Sequence, residues 1–309
     1  MIITLVGLCL FEIITSVDNA IINADVLATM KPNYRKWFLF WGIIIGVFLV
    51  RGLLPWIIVW ASNPSIGAWN ALLASFRSNP AVIEAIEASA PVLLIGGGTY
   101  LLFLFLHWWF IEPKHYGLIG EKHIQRYGVW FFAVVSILLT EIVWFALKQQ
   151  EMMAFGAVLG STAFFITHGF KQNAEEQEKK LKQEGLSDMS KIFYLEVIDA
   201  TFSIDSVLGA FAFTLSVPLI VLGNGLGAIV VRQLTIKGVD TIKHYIYLKN
   251  GAMYSILFLG IIMVLDSFGI KGPSWVSPLV TFVIIGYFFA KSKKHIKNKN
   301  KSEVVIQNS

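Results

Sequence analysis

Residues 2–24 read IITLVGLCLFEIITSVDNAIINA. As a single helix this run would cross the roughly 30 Å hydrocarbon core of a bilayer, although it contains Glu12 and Asp18. It lacks the basic n-region and the A-x-A cleavage site of a signal peptide, so it predicts a spanning helix. An acid at the bilayer centre costs at least ~2.5–3.5 kcal/mol, and it therefore usually faces the protein interior and serves a function.

The composition of the whole chain agrees with this interpretation. Of its 309 residues, 56% are hydrophobic and 15% are charged, and the mean hydropathy is +0.66. A soluble domain carries about a quarter charged residues. We therefore predict an all-α, polytopic membrane protein whose solvent is the lipid bilayer. About nine spans are expected, at 2–24, 37–60, 91–111, 128–147, 152–170, 192–213, 218–236, 251–270 and 275–290.

The basic residues predict an orientation. Twenty Lys and Arg residues fall in alternate connections and in the C-terminal tail, whereas the opposite connections carry Arg77, Lys148 and Lys271. By the positive-inside rule, the tail is cytoplasmic and the N-terminus lies outside. Because the basic residues separate apolar runs and form no groove-binding element, a nucleic-acid partner is not expected. The lone Cys9 excludes an intrachain disulfide.

The two halves of the chain repeat a polar pattern. Glu12-x3-Ser16-x-Asp18-Asn19 aligns without gaps on Asp199-x3-Ser203-x-Asp205-Ser206. In the following span, Gly42-x3-Gly46-x4-Arg51 aligns on Gly223-x3-Gly227-x4-Arg232, and a weaker third match pairs Gly97-x2-Tyr100 with Gly251-x2-Tyr254. The first span would run from outside to inside and the sixth from inside to outside, so the two halves would be inverted, which is the arrangement that transporters use around a midplane site.

The predicted boundaries follow from this repeat. They are a first three-helix repeat at 1–111, two inserted spans at 112–170, a charged cytoplasmic linker at 171–191, a second, inverted repeat at 192–270, and a final span with a basic tail at 271–309. Residues 61–90 are expected to form an outer loop, with at most a short interfacial helix, and the linker is expected to be a solvated helix.

The repeated segments predict an oxygen-donor site. Polar residues recur at i, i+3, i+4 and i+7 in the first and sixth spans, which places most of them on one face of each helix. Asp18 and Asp205 would lie about 120° from those faces unless the helix is unwound there. Carboxylate, amide and hydroxyl oxygens suit hard cations such as Mn²⁺, Mg²⁺ or Ca²⁺. The predicted metal ligands are Glu12, Asp18, Asn19, Asp199, Asp205 and Ser206, supported by Ser16, Asn23, Arg51, Glu196, Ser203 and Arg232.

Simpler interpretations stay open beside this one. Salt bridges from Asp18 to Arg232 and from Asp205 to Arg51 could serve helix packing alone. The repeated glycines are better explained as close-packing seams than as ligand contacts. His107 and His168 are better explained by packing or interfacial roles.

Two segments resemble a known family. FEIITSVDNAII (11–22) and LEVIDATFSIDSVLGAF (195–211) are similar to the paired signatures of the TerC family of integral membrane proteins, within the LysE-like transporter superfamily. The resemblance covers about half of the chain, and the inserted spans at 128–170 depart from the family pattern. It implies a multi-pass protein of a bacterial inner membrane that exports Mn²⁺ or a related divalent cation, or one linked to tellurium resistance.

The function expected from the sequence is thus a secondary transporter that exports a divalent metal cation through carboxylates between spans one and six. Mn²⁺ is the cation expected before Mg²⁺ or Ca²⁺. Proton antiport would suit the surplus of carboxylates. The alternative is a membrane scaffold in a metal or tellurite stress-response complex, with soluble partners and no transport activity. No cofactor and no enzymatic activity are expected, since the sequence contains no G-x-G-D or H-E-x-x-H motif.

Overall fold

The computed structural model describes the chain except for residues 46–50, 63, 65–66, 70–79, 114–117, 119–120, 184–186, 238–244 and 308–309. Throughout the described ranges the regular structure is helical, and they contain no strand. The predicted all-α class is therefore confirmed.

Among the described residues, five helical segments are long and apolar enough to cross a membrane, or six if the bent first pair counts as one span. They are Ala88–Phe110, Arg126–Gln149, Glu151–Asn173, Leu248–Ser267 and Val276–Asn298. In the second of these helices, only 22% of the most apolar 18-residue stretch is buried inside the protein. Its exposed Phe132, Trp144 and Phe145 would be a liability in water but suit a lipid surface. These helices are compatible with a multi-pass membrane protein.

The first predicted span is broken. Helix α1 (Ile2–Thr15) and helix α2 (Val17–Ala28) are separated by Ser16 and differ in direction by 56°. Helix α3 (Pro32–Ile43) and helix α4 (Arg51–Ser62) cover the second predicted span, with 46–50 outside the described residues. The sequence left open whether the first helix is unwound near Asp18, and the structure places the break two residues earlier.

The remaining helices follow in order. They are α5 (Pro80–Phe110), α6 (Glu121–Ile124), a 3₁₀ turn (Gln125–Trp130), α7 (Phe131–Gln149), α8 (Glu151–Gln183), α9 (Asp188–Ala210), α10 (Val217–Lys237), α11 (Leu248–Ser267) and α12 (Val276–Gln307). The backbone of Gln150 is extended, so helices α7 and α8, the two predicted inserted spans, are separated at this residue. Helix α9 carries Lys191, Glu196, Asp199 and Asp205, which keeps it outside the set of apolar spans.

One predicted boundary was wrong. Residues 80–90, expected in an outer loop, begin helix α5, because Pro80 occupies a first-turn position that suits proline. Helix α8 continues to Gln183, so the linker predicted at 171–191 begins within this helix, and its role as a cytoplasmic linker stays a prediction. The side chains of 80–87 and 174–186 lie outside the described residues.

Glycines bring the inserted helices close to the rest of the bundle. Helix α5 packs on α8 and α11, while α1 packs on α10. A Cβ added at Gly156 would lie 2.7 Å from the carbonyl oxygen of Val92, and one at Gly160 would collide with the backbone of Gly96. Small residues of this kind let helix backbones approach closely in membranes. This seam sets the position of α8 beside α5.

Candidate functional site

A buried ion-pair cluster lies where α1, α4 and α9 meet. The Arg51 guanidinium donates to Glu12 Oε1 at 2.7 Å through Nη2 and at 3.1 Å through Nε. Its Nη1 lies 3.5 Å from Asp199 Oδ2. The Glu12 side chain is fully buried and the Arg51 side chain is 3% exposed. One arginine therefore links the repeated acids of the two halves.

A second arginine approaches the same carboxylate. Arg232 Nη2 lies 3.3 Å from Asp199 Oδ2 and 3.7 Å from Glu196 Oε1. It also donates to the carbonyl oxygen of Gly42 at 2.7 Å. A Cβ at Gly42 would meet the ends of the Arg232 and Glu196 side chains, which would have to shift to make room for it. Asp199 is thus shared by both arginines, and we call Glu12, Arg51, Glu196, Asp199 and Arg232 the central cluster.

Oxygen acceptors without donors surround this cluster. Asn19 donates its amide to Asp199 Oδ1 at 2.5 Å, and its own Oδ1 has no hydrogen-bond partner in the described part of the chain. The buried Oε2 of Glu12 and Oδ1 of Asn23 also lack one. Buried polar atoms are normally paired, so each exception calls for an explanation. These are acceptors, which a cation or a water molecule would satisfy.

A small polar cavity lies among these groups. Its volume is about 10 Å³, near the lower limit for holding one water molecule. The cavity is lined by Asn19, Asn23, Phe38, Arg51, Asp199, Ala228, Val231, Arg232 and Thr235. A space of this size and lining fits one small, hard ion or one water.

The local structure of α1 and α10 positions Glu12. A Cβ at Gly227 would lie 2.6 Å from Glu12 Cβ and 2.7 Å from the carbonyl oxygen of Cys9, so the two helices touch at this glycine. Ser16 donates its hydroxyl to Glu12 Oε1 at 2.6 Å. The carboxylate is thus held by Arg51 and Ser16 through one oxygen, which leaves the other directed elsewhere.

Asp205 belongs to a second cluster. Tyr100 donates its hydroxyl to Asp205 Oδ1 at 2.5 Å, and Lys171 forms an ion pair with Asp205 Oδ2. The Tyr100 hydroxyl lies 3.0 Å from that of Thr167. The Lys171 and Asp205 side chains are each 12% exposed. We call these four residues the lysine cluster.

The described contacts divide the predicted ligand set. Glu12, Asn19 and Asp199 come together, with Asn23, Arg51, Glu196 and Arg232 around them. Asp205 pairs with Lys171 rather than with Arg51, because α9 is continuous and separates Asp199 from Asp205 by about 9 Å along its axis.

The hydroxyl groups of α9 stay within that helix. Ser206 donates to the carbonyl oxygen of Ser203, and Ser203 donates to that of Asp199. The side chain of Asp18 lies outside the described residues. Among the side chains that are described, no three His, Cys, Asp or Glu residues are arranged to hold a metal ion. In the central cluster, guanidinium groups stand between the carboxylates.

The sequence did not single out Lys171 and Thr167, and it noted Tyr100 only as a repeat residue. Lys171 opens the charged run 171–183, which is typical of a solvated face. Its four-residue spacing from Thr167 was the available signal, because residues i and i+4 lie on one face of a helix.

A match to the family described as "Protein of unknown function (DUF475)" covers residues 17–301. The chain belongs to the DUF475 family. The matched range includes the inserted helices, so α7, α8 and Lys171 lie within the DUF475 unit. No curated protein and no solved structure matches the chain.

Proposed function

We propose that the protein is a secondary transporter that exports a divalent metal cation, with Mn²⁺ as the favoured substrate, through the central cluster. The observation that carries the proposal is the set of buried acceptor oxygens, on Glu12, Asn19 and Asn23, that have no donor among the described residues. They accompany a cavity of about 10 Å³ that Asn19, Asn23 and Asp199 line. The surrounding helices are compatible with a multi-pass membrane protein. A site for a hard cation is the simplest use of such oxygens in that setting.

The donor chemistry supports Mn²⁺, Mg²⁺ or Ca²⁺. Carboxylate and amide oxygens are the ligands that these ions prefer, while the cluster offers no thiolate or imidazole. Within the central cluster, three carboxylates face two guanidinium groups, which leaves one surplus negative charge when all are ionised. Asp18, adjacent to Asn19 in sequence, would supply the fourth carboxylate and match the charge of a divalent cation.

The arginines suggest how the site alternates. Buried carboxylates need a counter-charge, and Arg51 and Arg232 provide it through Asp199 and Glu12. A cation that binds the same oxygens would displace guanidinium contacts. The cluster would then pass between an arginine-neutralised and a cation-neutralised arrangement, and carboxylates freed from arginine could carry protons in antiport.

Reciprocal packing supports the inverted repeat. The repeat-equivalent glycines Gly42 and Gly223 each lie against the first helix of the other half, at Glu196 and at Leu8. We propose nine crossings on this basis, with the N-terminus outside and the tail cytoplasmic, and with α9 and α10 as spans that carry the polar site. The resemblance to the TerC family fits this arrangement and remains a prediction.

Proteoliposomes holding the purified protein test the proposal. Uptake of Mn²⁺, Mg²⁺, Ca²⁺ and Zn²⁺ is measured with and without a pH gradient, for wild type and for Glu12→Gln. We expect Mn²⁺ flux in wild type, at least tenfold slower flux in the variant, and little Zn²⁺ flux. Absence of flux for every cation from a folded, correctly inserted protein would contradict transport and favour the scaffold.

A further inference from the structure

The second copy of the acid motif carries its own counter-charge, and this charge comes from outside the repeat. Asp205 is the repeat equivalent of Asp18, yet Lys171 lies on helix α8, which belongs to the inserted pair. The ammonium group contacts Asp205 Oδ2, while Tyr100 donates to Oδ1. Both carboxylate oxygens are therefore satisfied by side chains of other helices.

We propose that the Lys171 ammonium is a tethered cation in a position that otherwise suits a monovalent hard metal ion such as Na⁺. This inference rests on the proposed function in treating the repeated acid motif as an ion-binding unit. Lys171 would then determine how many cations the protein binds. With lysine present, the second motif takes up no ion from solution.

The charges and donors define the class of ion. Without Lys171, the described lysine cluster would hold one carboxylate and the hydroxyl oxygens of Tyr100 and Thr167. One negative charge is neutralised by one monovalent cation, as it is by one ammonium group. A divalent ion would leave an uncompensated positive charge in a mostly buried place, where such a charge is costly.

Packing explains why the lysine arrives there. The glycine seam of Gly96, Gly156 and Gly160 lets α8 approach α5 closely. Tyr100 lies one turn beyond Gly96 on α5, and Thr167 lies about two turns beyond Gly160 on α8, where their hydroxyl groups meet at 3.0 Å. Lys171 follows one further turn along α8, at the level of Asp205. The inserted helices thus deliver the ammonium as a fixed part of the bundle.

Cation binding to purified protein tests the inference. Na⁺ binding is measured by isothermal titration with choline as the balancing ion, for wild type, Lys171→Met, Lys171→Met with Asp205→Asn, and Lys249→Met. Lys249 is the matched control, because it also pairs with an acid, Glu112, at a partly exposed position where the two side chains are 36% and 32% exposed. We expect one Na⁺ per chain to be gained by Lys171→Met alone and lost again in the double variant.

The inference would be overturned if the Lys171→Met protein is folded and binds no more Na⁺ than wild type does. If this variant unfolds in choline, its melting temperature across a Na⁺ series replaces the titration: a rise of at least 5 °C that requires Asp205 supports the inference, and a flat series overturns it. Mn²⁺ titrated into wild type in the same buffers reports separately on the proposed function, so either idea can fail without the other.

Discussion

The two copies of the repeated acid motif differ in backbone and in counter-charge. In the first copy the helix breaks at Ser16 and turns by 56°, whereas in the second it continues from Asp188 to Ala210. The Ser16 hydroxyl donates a hydrogen bond to the Glu12 carboxylate, while the hydroxyl of the equivalent Ser203 donates to the carbonyl oxygen of Asp199.

The comparison shows that the same acid spacing can lead to different pairing of the carboxylate oxygens in the two copies. Near the break, acceptor oxygens on Glu12 and Asn19 lack donors, and a small cavity lies beside Asn19 and Asp199. On the continuous helix, Asp205 is satisfied by Tyr100 and Lys171. The local path of the backbone and the position of Lys171 therefore determine which copy has its acceptor oxygens paired.

The largest difference is expected between Asp199→Asn and Asp205→Asn. Asp199 contacts both arginines, so Asp199→Asn would break two buried ion pairs at once and leave Arg51 with Glu12 and Arg232 with the more distant Glu196. We expect the free energy of unfolding to fall by about 3–5 kcal/mol. Asp205→Asn should cost less, since Lys171 can reach water. Chemical unfolding in detergent measures both, and equal losses would contradict the distinction between the two clusters.

A second prediction concerns the contact that seats Glu12. Gly227→Ala places a Cβ 2.7 Å from the backbone oxygen of Cys9, so α10 must move away from α1. We expect a loss of about 1–3 kcal/mol, together with weaker Mn²⁺ binding. Gly286→Ala is the control, because its Cβ would meet nothing within 4 Å. Thermal melting of both variants decides the matter, and an unaffected Gly227→Ala would show that the seam is not needed.

A smaller effect is expected at the lysine cluster. Tyr100→Phe removes the hydroxyl that donates to Asp205 at 2.5 Å, while Lys171 still holds the other oxygen. The expected loss is about 1 kcal/mol in the free energy of unfolding. Tyr287→Phe, at an exposed tyrosine, should change nothing. If Tyr100→Phe abolished Mn²⁺ transport while remaining folded, Asp205 would have to belong to the transport site.

The smallest change in stability is expected for Ser16→Ala, at about 0.5–1.5 kcal/mol. Its effect should instead appear in the apparent Mn²⁺ affinity, which we expect to fall several-fold because Glu12 loses the donor that fixes one of its oxygens. Ser203→Ala should leave the affinity unchanged, since that hydroxyl bonds within its own helix. Mn²⁺ titrations of the two variants test the comparison, and a reversed order would contradict it.

Much of the fold could be predicted from apolar runs, because lipid imposes length and hydropathy on a spanning helix. The break at Ser16 could not, since the helical periodicity of Glu12, Ser16, Asn19 and Asn23 continues through it. Helix α8 likewise exceeds the predicted span, because a charged sequence can extend a helix beyond the membrane without changing its apolar part.

Part of the candidate site was also predictable. The repeat pointed to Glu12, Asp199, Arg51 and Arg232, which the structure brings together. The repeat did not show which arginine pairs with which acid, because two arginines and several acids can form ion pairs in more than one combination. The role of Lys171 was hidden, since its position depends on how closely α8 packs against α5.

Direct measurement of Mn²⁺ binding tests whether the ion site lies in the central cluster. Electron paramagnetic resonance of free Mn²⁺ in titrations of detergent-purified protein gives the number of bound ions for wild type, Glu12→Gln and Asp205→Asn. We expect one bound Mn²⁺ per wild-type chain, retained in Asp205→Asn and lost in Glu12→Gln. Binding that survives in Glu12→Gln and disappears in Asp205→Asn would contradict the assignment of the ion site to the central cluster.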